Sequence, residues 1–436
     1  MPNFKISLFL LLLIVTFGNG CVQQQASLAA KPDKVVGEGE TKVKTALSPT
    51  ETRVQNSLNV ISENPNEPRN YNSLAIAYVR LARETGDFSI NAKAESAVDS
   101  ALKIDPQNID ALKIKASLML TFHRFPEALD FTKPLQQKYP NDAIIYGALT
   151  DANIELGNYA EAIKNAQQMV DLRPDMSSYA RVSSVRSLHG DDKGAIEAMS
   201  LASKIADPSD YESQAWCLVH LGDEYFKVGR YDEAEKSYDN AIAVFPTYHY
   251  ALSGKGRARA ARGDYETAVK FLTQAKDRVP FTETVISLGD AQIKLGKPEE
   301  AQKNYDLAVF IEQQFGDIDK RRLALLWADH DIKLDEALEV ARKEHGFRKD
   351  IYTADILAWC LYKKGNFQEA KTAITEAMRI KTKDARIYYH AGMIEKALGN
   401  KKDAARFLNL ALQTNPAFDI LQADVAKQNL QDLGKS

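Results

Sequence analysis

"LGDEYFKVGRYDEAEKSYDNAIAVFP", Leu221–Pro246, reads as two helices joined by a tight turn. Gly229 supplies the left-handed residue that ends the first helix. Tyr231, two places on, plugs the corner. Asp232 and Glu233 fall in the first turn of the second helix, where its dipole favours acids. Ala234, Tyr238 and Ala241 then recur at i, i+4 and i+7, an apolar stripe at helical period. Pro246 stops the element. Ahead of the turn, Leu221, Gly222 and Tyr225 put a small residue at the centre of the packing side.

The same arrangement beats through the chain. Pro106, Pro140, Pro174 and Pro208 are spaced by 34 residues, as are Pro246 and Pro280, and Pro416 follows by 136. Copies of the turn hexapeptide begin at Gly157, Gly263, Gly296, Gly365 and Gly399, with weaker ones at His123, Gly190 and Ile332. Thr382 stands where a proline is expected. Each unit is therefore helix, tight turn, helix and proline stop. Period and pattern together resemble the tetratricopeptide repeat family. The resemblance covers most of the chain and implies an all-α fold: a right-handed α-solenoid of about ten helical hairpins spanning 49–416. A half-unit near Pro49–Asn64 caps the front. The amphipathic tail within 417–436 reads as a C-terminal capping helix, because a terminal repeat needs its open face covered.

The N-terminus is different. Lys5 precedes an unbroken apolar run, Ile6–Phe17, which is too short to span a bilayer as a helix and has the length of a signal-peptide core. "GNGC" follows, ending at Cys21. Residues 1–21 resemble a bacterial lipoprotein signal, implying lipid attachment at Cys21, although Gly18 stands where that pattern usually has Leu. A cleaved export signal ending near Ala29–Ala30 and an uncleaved anchor remain alternatives. Residues 22–48 have few large apolar residues and mixed charge, as in a flexible tether. The expected location is a bacterial cell envelope, membrane-associated through lipid.

Composition excludes several classes. The formal net charge is −3, without the basic surplus usual in nucleic-acid binders. Three Cys make no disulfide scaffold. "AWCL" occurs at Ala215–Leu218 and Ala358–Leu361, but two helical turns out of phase, so it is coincidence rather than motif. If each unit touches only its neighbours, Cys217 and Cys360 lie too far apart to pair. His220 beside Cys217 makes two candidate ligands, which is no metal site. "SGKGR" (Ser253–Arg257) lacks phosphate-loop spacing, and "DKRR" (Asp319–Arg322) reads as a solvated helix start. No catalytic constellation, metal site, cofactor or small-molecule substrate is evident.

What remains is the non-packing face of the leading helices. Trp216 and Trp359 share it despite their phase slip, because seven residues nearly complete two turns. Asp223, Phe226, Tyr250, Arg257, Tyr352, Asp355, Tyr362 and Tyr389 map nearby, mostly aromatic or charged types that anchor interfaces. In the family this face lines a concave groove that binds peptides. The implied function is a non-enzymatic scaffold for partner proteins or extended peptides. The structural alternative is that such rings fill gaps between units. Other readings are an adaptor with an uncleaved N-terminal anchor, or an enzyme-associated repeat subunit.

Overall fold

The computed structural model describes residues 47–314 and 320–435. Among them are twenty-two α-helices and no strand. Helix α1 (Pro49–Glu63) leads. Ten hairpins follow: α2–α3 (Pro68–Thr85, Ile90–Ile104), α4–α5 (Ile109–Thr121, Phe125–Lys138), α6–α7 (Ala143–Glu155, Tyr159–Leu172), α8–α9 (Met176–Leu188, Asp192–Ile205) and α10–α11 (Tyr211–Lys227, Tyr231–Val244). The later five are α12–α13 (His249–Ala261, Tyr265–Arg278), α14–α15 (Thr282–Lys294, Pro298–Gln314), α16–α17 (Arg321–Asp329, Leu334–Phe347), α18–α19 (Ile351–Lys363, Phe367–Ala377) and α20–α21 (Ala385–Ala397, Lys401–Thr414). Helix α22 (Gln422–Lys435) closes the array. The fold is an all-α solenoid, as the repeat predicts.

Small residues do what the pattern requires. A Cβ on Gly222 or on Gly254 would lie 2.5 Å from the ring of Tyr238, and one on Gly289 would lie 2.5 Å from that of Tyr305. Each ring thus takes the space a side chain would occupy, and the helices close to ring thickness. Where a hairpin turn lacks glycine the backbone still bends left-handed: His123 and Asp331 both have φ of 55°, an uncommon state for residues with a Cβ.

The leading helix α1 leaves exposed much of the stripe that the inner second helices bury. The position four before the C-cap is Ala241, Ala275 or Ala411 in inner second helices, all fully buried, but Val60 in α1 is 42% exposed. Arg53 is exposed and Ser57 half-buried on the same stripe. Within 417–436 the capping helix starts late. Residues 418–421 form turns, and α22 begins at Gln422 because the Asp419 carboxylate accepts from the Leu421 and Gln422 amides, a side-chain cap that fixes the first turn.

One expectation is overturned. Units do not touch only their neighbours. The solenoid coils tightly enough that successive turns meet in a seam. The Ile351 amide donates to the Tyr159 hydroxyl at 2.8 Å, 192 residues away in sequence. Arg348 Nε donates to Glu155 at 2.9 Å across 193 residues. Thr382, the missing proline, donates its hydroxyl to the Leu188 carbonyl across 194 residues. Phe88 meets Phe281 edge-on, with centroids 5.7 Å apart. In each case the hairpin turn of one unit sits on a junction between units more than five repeats later.

The turn glycines record where the seam begins and ends. A Cβ at Gly86 would lie 2.3 Å from Val279, at Gly157 2.2 Å from the Lys349 carbonyl oxygen, at Gly190 2.8 Å from that of Lys381, and at Gly229 3.3 Å from Pro416. At Gly263, Gly296, Gly365 and Gly399 it would meet nothing within 4 Å. The early turns have chain beneath them and the later ones do not.

Candidate partner-binding inner wall

Closure changes the surroundings of the leading helices, which line the inside of the coil. Helices α6 and α18 are buried on almost every side, as expected of helices apolar all round. The inside is also bridged. Arg83, at the end of α2, pairs with Glu212 at the start of α10 at 2.8 Å. Lys294, at the end of α14, pairs with Asp424 in α22 at 2.6 Å.

The ten residues assigned to this wall fall into separate groups. Trp359, Tyr362, Tyr389 and Asp355 come together. The Trp359 ring stacks on His390 at 4.2 Å and on Tyr362 at 4.8 Å, and its Nε1 donates to Asp329 at 2.8 Å. Tyr389 donates to Gln422 at 2.7 Å, and Asp355 lies 2.8 Å from His390 Nδ1. A second group joins Asp223, Arg257 and Phe226. Asp223 Oδ1 accepts from Arg257 and from the Tyr238 hydroxyl, both at 2.8 Å, and the Arg257 guanidinium lies over the Phe226 ring. Tyr250 packs with His249 and Phe281. Tyr352 is half-buried on α18, and Trp216 contacts His220 at 4.1 Å.

Inner-wall position is not exposure. Trp216 and Trp359, placed on the open side by helical phase, are both buried, as are Phe226, Asp355 and Tyr389. Asp223, Tyr250, Arg257, Tyr352 and Tyr362 are half-buried. The gap-filling alternative describes Trp359, because the leading helices on either side of it, through Asp329 in α16 and Tyr389 and His390 in α20, close over it. The "DKRR" stretch is corrected too: Arg322 is buried against Glu283 at 3.1 Å and Arg321 pairs with Asp350 at 3.3 Å. Cys217 and Cys360 are free and buried, and burial pushes both thiols up, away from the reactive thiolate.

Sequence reasoning missed the charges that line the inside. Near the end of the coil a cavity of about 70 Å³ is bounded by Arg257, Glu283, Asp290, Arg322, Arg386 and Asp419. Burial, then Asp419, lifts Asp290 well above the usual carboxylate range. Its oxygen accepts from Tyr305 at 2.8 Å. Nearer the start a second chamber, about 240 Å³, is bounded by Arg83, Asp151, Arg181, Glu212 and Trp216. The only sequence signal for either was a scatter of charged residues in otherwise apolar leading helices. No group of three or more His, Cys, Asp or Glu among the described residues could hold a metal ion.

Known proteins agree with the architecture. Profiles described as tetratricopeptide repeat match residues 220–281 and 385–418. Anaphase-promoting complex subunit 3 of Schizosaccharomyces pombe is 22% identical over 368 residues, covering 81% of this chain and 52% of that protein. The TPR repeat-containing protein MJ1428 of Methanocaldococcus jannaschii is 31% identical over 106 residues, covering 24% of this chain and 18% of that one. The chain thus spans about half the length of the first and less of the second. Among solved structures, the APC/C hetero-tetramer Cut9–Hcn1 aligns with a TM-score of 0.42 and 14% identity, covering 87% of this chain and 80% of that one.

Proposed function

The chain is a tetratricopeptide repeat protein, and from that premise we propose that it is a non-enzymatic interaction scaffold, held at a bacterial membrane by lipid on Cys21. The observation that carries the scaffold reading is the side-chain chemistry gathered inside the coil. Tyr250, Tyr352 and Tyr362, with the Asp223–Arg257 pair, are half-buried on three leading helices, α10, α12 and α18. A partner can touch only atoms that closure leaves accessible, so these five, rather than the buried tryptophans, form the docking wall. Tyrosine and arginine combine large contact area with a polar handle. A relative named as a subunit of a multiprotein complex supports the same reading. Cys21 lies outside the described residues, and no helix among those described is long and apolar enough to cross a membrane.

Residues 48–436 immobilised on beads, exposed to detergent-solubilised envelope membranes, test the scaffold. The Tyr250→Ser/Tyr362→Ser variant loses the captured partners while remaining folded at the assay temperature, its melting temperature lowered by the lost packing of these rings on Phe281 and Trp359. Unchanged capture by the folded variant removes the docking wall. Metabolic labelling with palmitate tests the anchor: label disappears in Cys21→Ser if that thiol carries the lipid. Label that survives the substitution, or never appears, defeats it.

A further inference from the structure

The chamber enclosed by the first turn of the coil has a built chemistry that partner docking does not use. Three of its charges come from consecutive units, Asp151 in α6, Arg181 in α8 and Glu212 in α10, and the fourth, Arg83 at the end of α2, is brought over them by the coil. The chamber therefore exists only because the coil closes. Its volume of about 240 Å³ is below that of drug-sized sites and suits a molecule on the order of ten non-hydrogen atoms.

The two carboxylates face their arginines. Asp151 takes a bidentate pair from Arg181, at 2.9 and 2.6 Å, and Glu212 accepts from Arg83 Nε at 3.0 Å and from the Tyr248 hydroxyl at 3.2 Å. Arg181 is braced further by the Gly147 and Ser177 carbonyls. Uncommitted hydrogen-bonding capacity is mostly on the donor side. Arg83 Nη1 and the Ser177 and Ser213 hydroxyls have no hydrogen-bond partner among the described residues, and all three residues line the chamber. Apart from Ser184, whose hydroxyl donates to the Ala180 carbonyl at 3.2 Å, the rest of the lining is apolar: Ile154, Met176, Ala180 and Trp216. Guanidinium donors fixed beside an apolar wall favour an anion with an apolar body, because charge-assisted hydrogen bonds are strongest where water is excluded.

We propose that this chamber binds a small organic monocarboxylate with an aromatic or branched apolar body, its carboxylate on Arg83 and the two serine hydroxyls and its body against Trp216. Because the lining spans units 1, 3, 4 and 5, the ligand ties the first turn shut and raises the stability of the closed coil.

Thermal melting and calorimetric titration of residues 48–436 with phenylacetate and isovalerate, each paired with its neutral amide, test the site. The acids raise the melting temperature in a dose-dependent way and bind roughly tenfold or more tighter than the amides, the difference a charged acceptor makes. The Ser177→Leu variant fills the chamber without touching an ion pair, so it melts no lower than the parent and loses the acid response. Acids and amides that bind equally, acids that bind Ser177→Leu as well as the parent, or acids that leave melting and heat unchanged each overturn the proposal. None of these outcomes bears on partner capture, which the Tyr250→Ser/Tyr362→Ser variant reads separately.

Discussion

Gly157→Ala and Gly365→Ala are the same substitution in the same local turn, and they should not cost the same. Both glycines are left-handed, with φ of 74° and 79°. An L-residue there costs roughly 1–2 kcal/mol, and that term is common to both. At Gly365 a new Cβ meets nothing within 4 Å. At Gly157 it would lie 2.2 Å from the Lys349 carbonyl oxygen and 2.7 Å from Arg379 Nη2. Backbone cannot swing aside as a flexible side chain can, so the seam must part there. Parting removes the Ile351-to-Tyr159 hydrogen bond, and it loosens Arg348 on Glu155, a charged pair inside the structure. A neutral hydrogen bond contributes about 1 kcal/mol and a charged one about 1.5–3. Gly365→Ala should therefore lose about 1–2 kcal/mol and Gly157→Ala roughly 3.5–6. Urea unfolding gives the totals, and hydrogen exchange gives the location. In Gly157→Ala, protection drops in both α7 and α18, two helices far apart in sequence. Equal losses for the two variants, or a Gly157→Ala effect confined to α6–α7, would refute the reasoning.

Other outcomes follow from the same contacts. Arg348→Leu leaves Glu155 inside the seam with only Arg321, 4.0 Å away, and should cost about 3–5 kcal/mol, whereas Arg348→Leu/Glu155→Leu recovers much of it; a double-mutant cycle by chemical denaturation measures the difference. Trp359→Ala deletes a buried ring and should cost about 3–5 kcal/mol, read by the same denaturation, with no partner needed to see it. Burial holds the Glu224 carboxyl up to about 8, against an ordinary 4.5, despite Lys227 beside it. The folded state therefore holds this proton more tightly than the unfolded one. Its contribution to stability is complete below about pH 4.5 and is lost as pH rises through about 8. Glu224→Gln should flatten that decline in a melting series from pH 5 to 9, and an unchanged slope would remove Glu224 as its source.

The fold was legible because it is local. Proline stops, turn glycines and the Ala–Tyr–Ala stripe act within one unit, and each repeats often enough to be read in phase. The seam was not legible, because nothing local encodes which unit meets which after a full turn of the coil. That depends on a small rotation per repeat, summed over more than five. Three residues carried a trace of it. Thr382 broke the proline series, and its hydroxyl proves to be a seam contact. Tyr231 read as a corner plug, and Tyr159 holds the equivalent place after Gly157, yet their hydroxyls reach the next turn of the coil, at Ala417 and Ile351. The inner wall was half legible. Helical phase placed Trp216 and Trp359 on the side away from their hairpin partners, but phase says nothing about what lies opposite. Closure put other helices there, so Trp216, Phe226, Trp359 and Tyr389 are buried while Tyr250, Tyr352 and Tyr362 stay half-buried. The chamber charges, Arg83 and Glu212, were invisible as a pair because 129 residues separate them.

Double electron–electron resonance between spin labels at Glu161→Cys and Lys349→Cys, with Cys217 and Cys360 replaced by serine, tests closure most directly. Both labelled positions are exposed, one just past the Gly157 turn and the other in the junction it rests on. A single short, narrow distance is the result expected of a coil whose turns touch. A long and broad distribution would mean an open spiral, and with it would go the seam, the enclosed chamber and the burial of the inner wall.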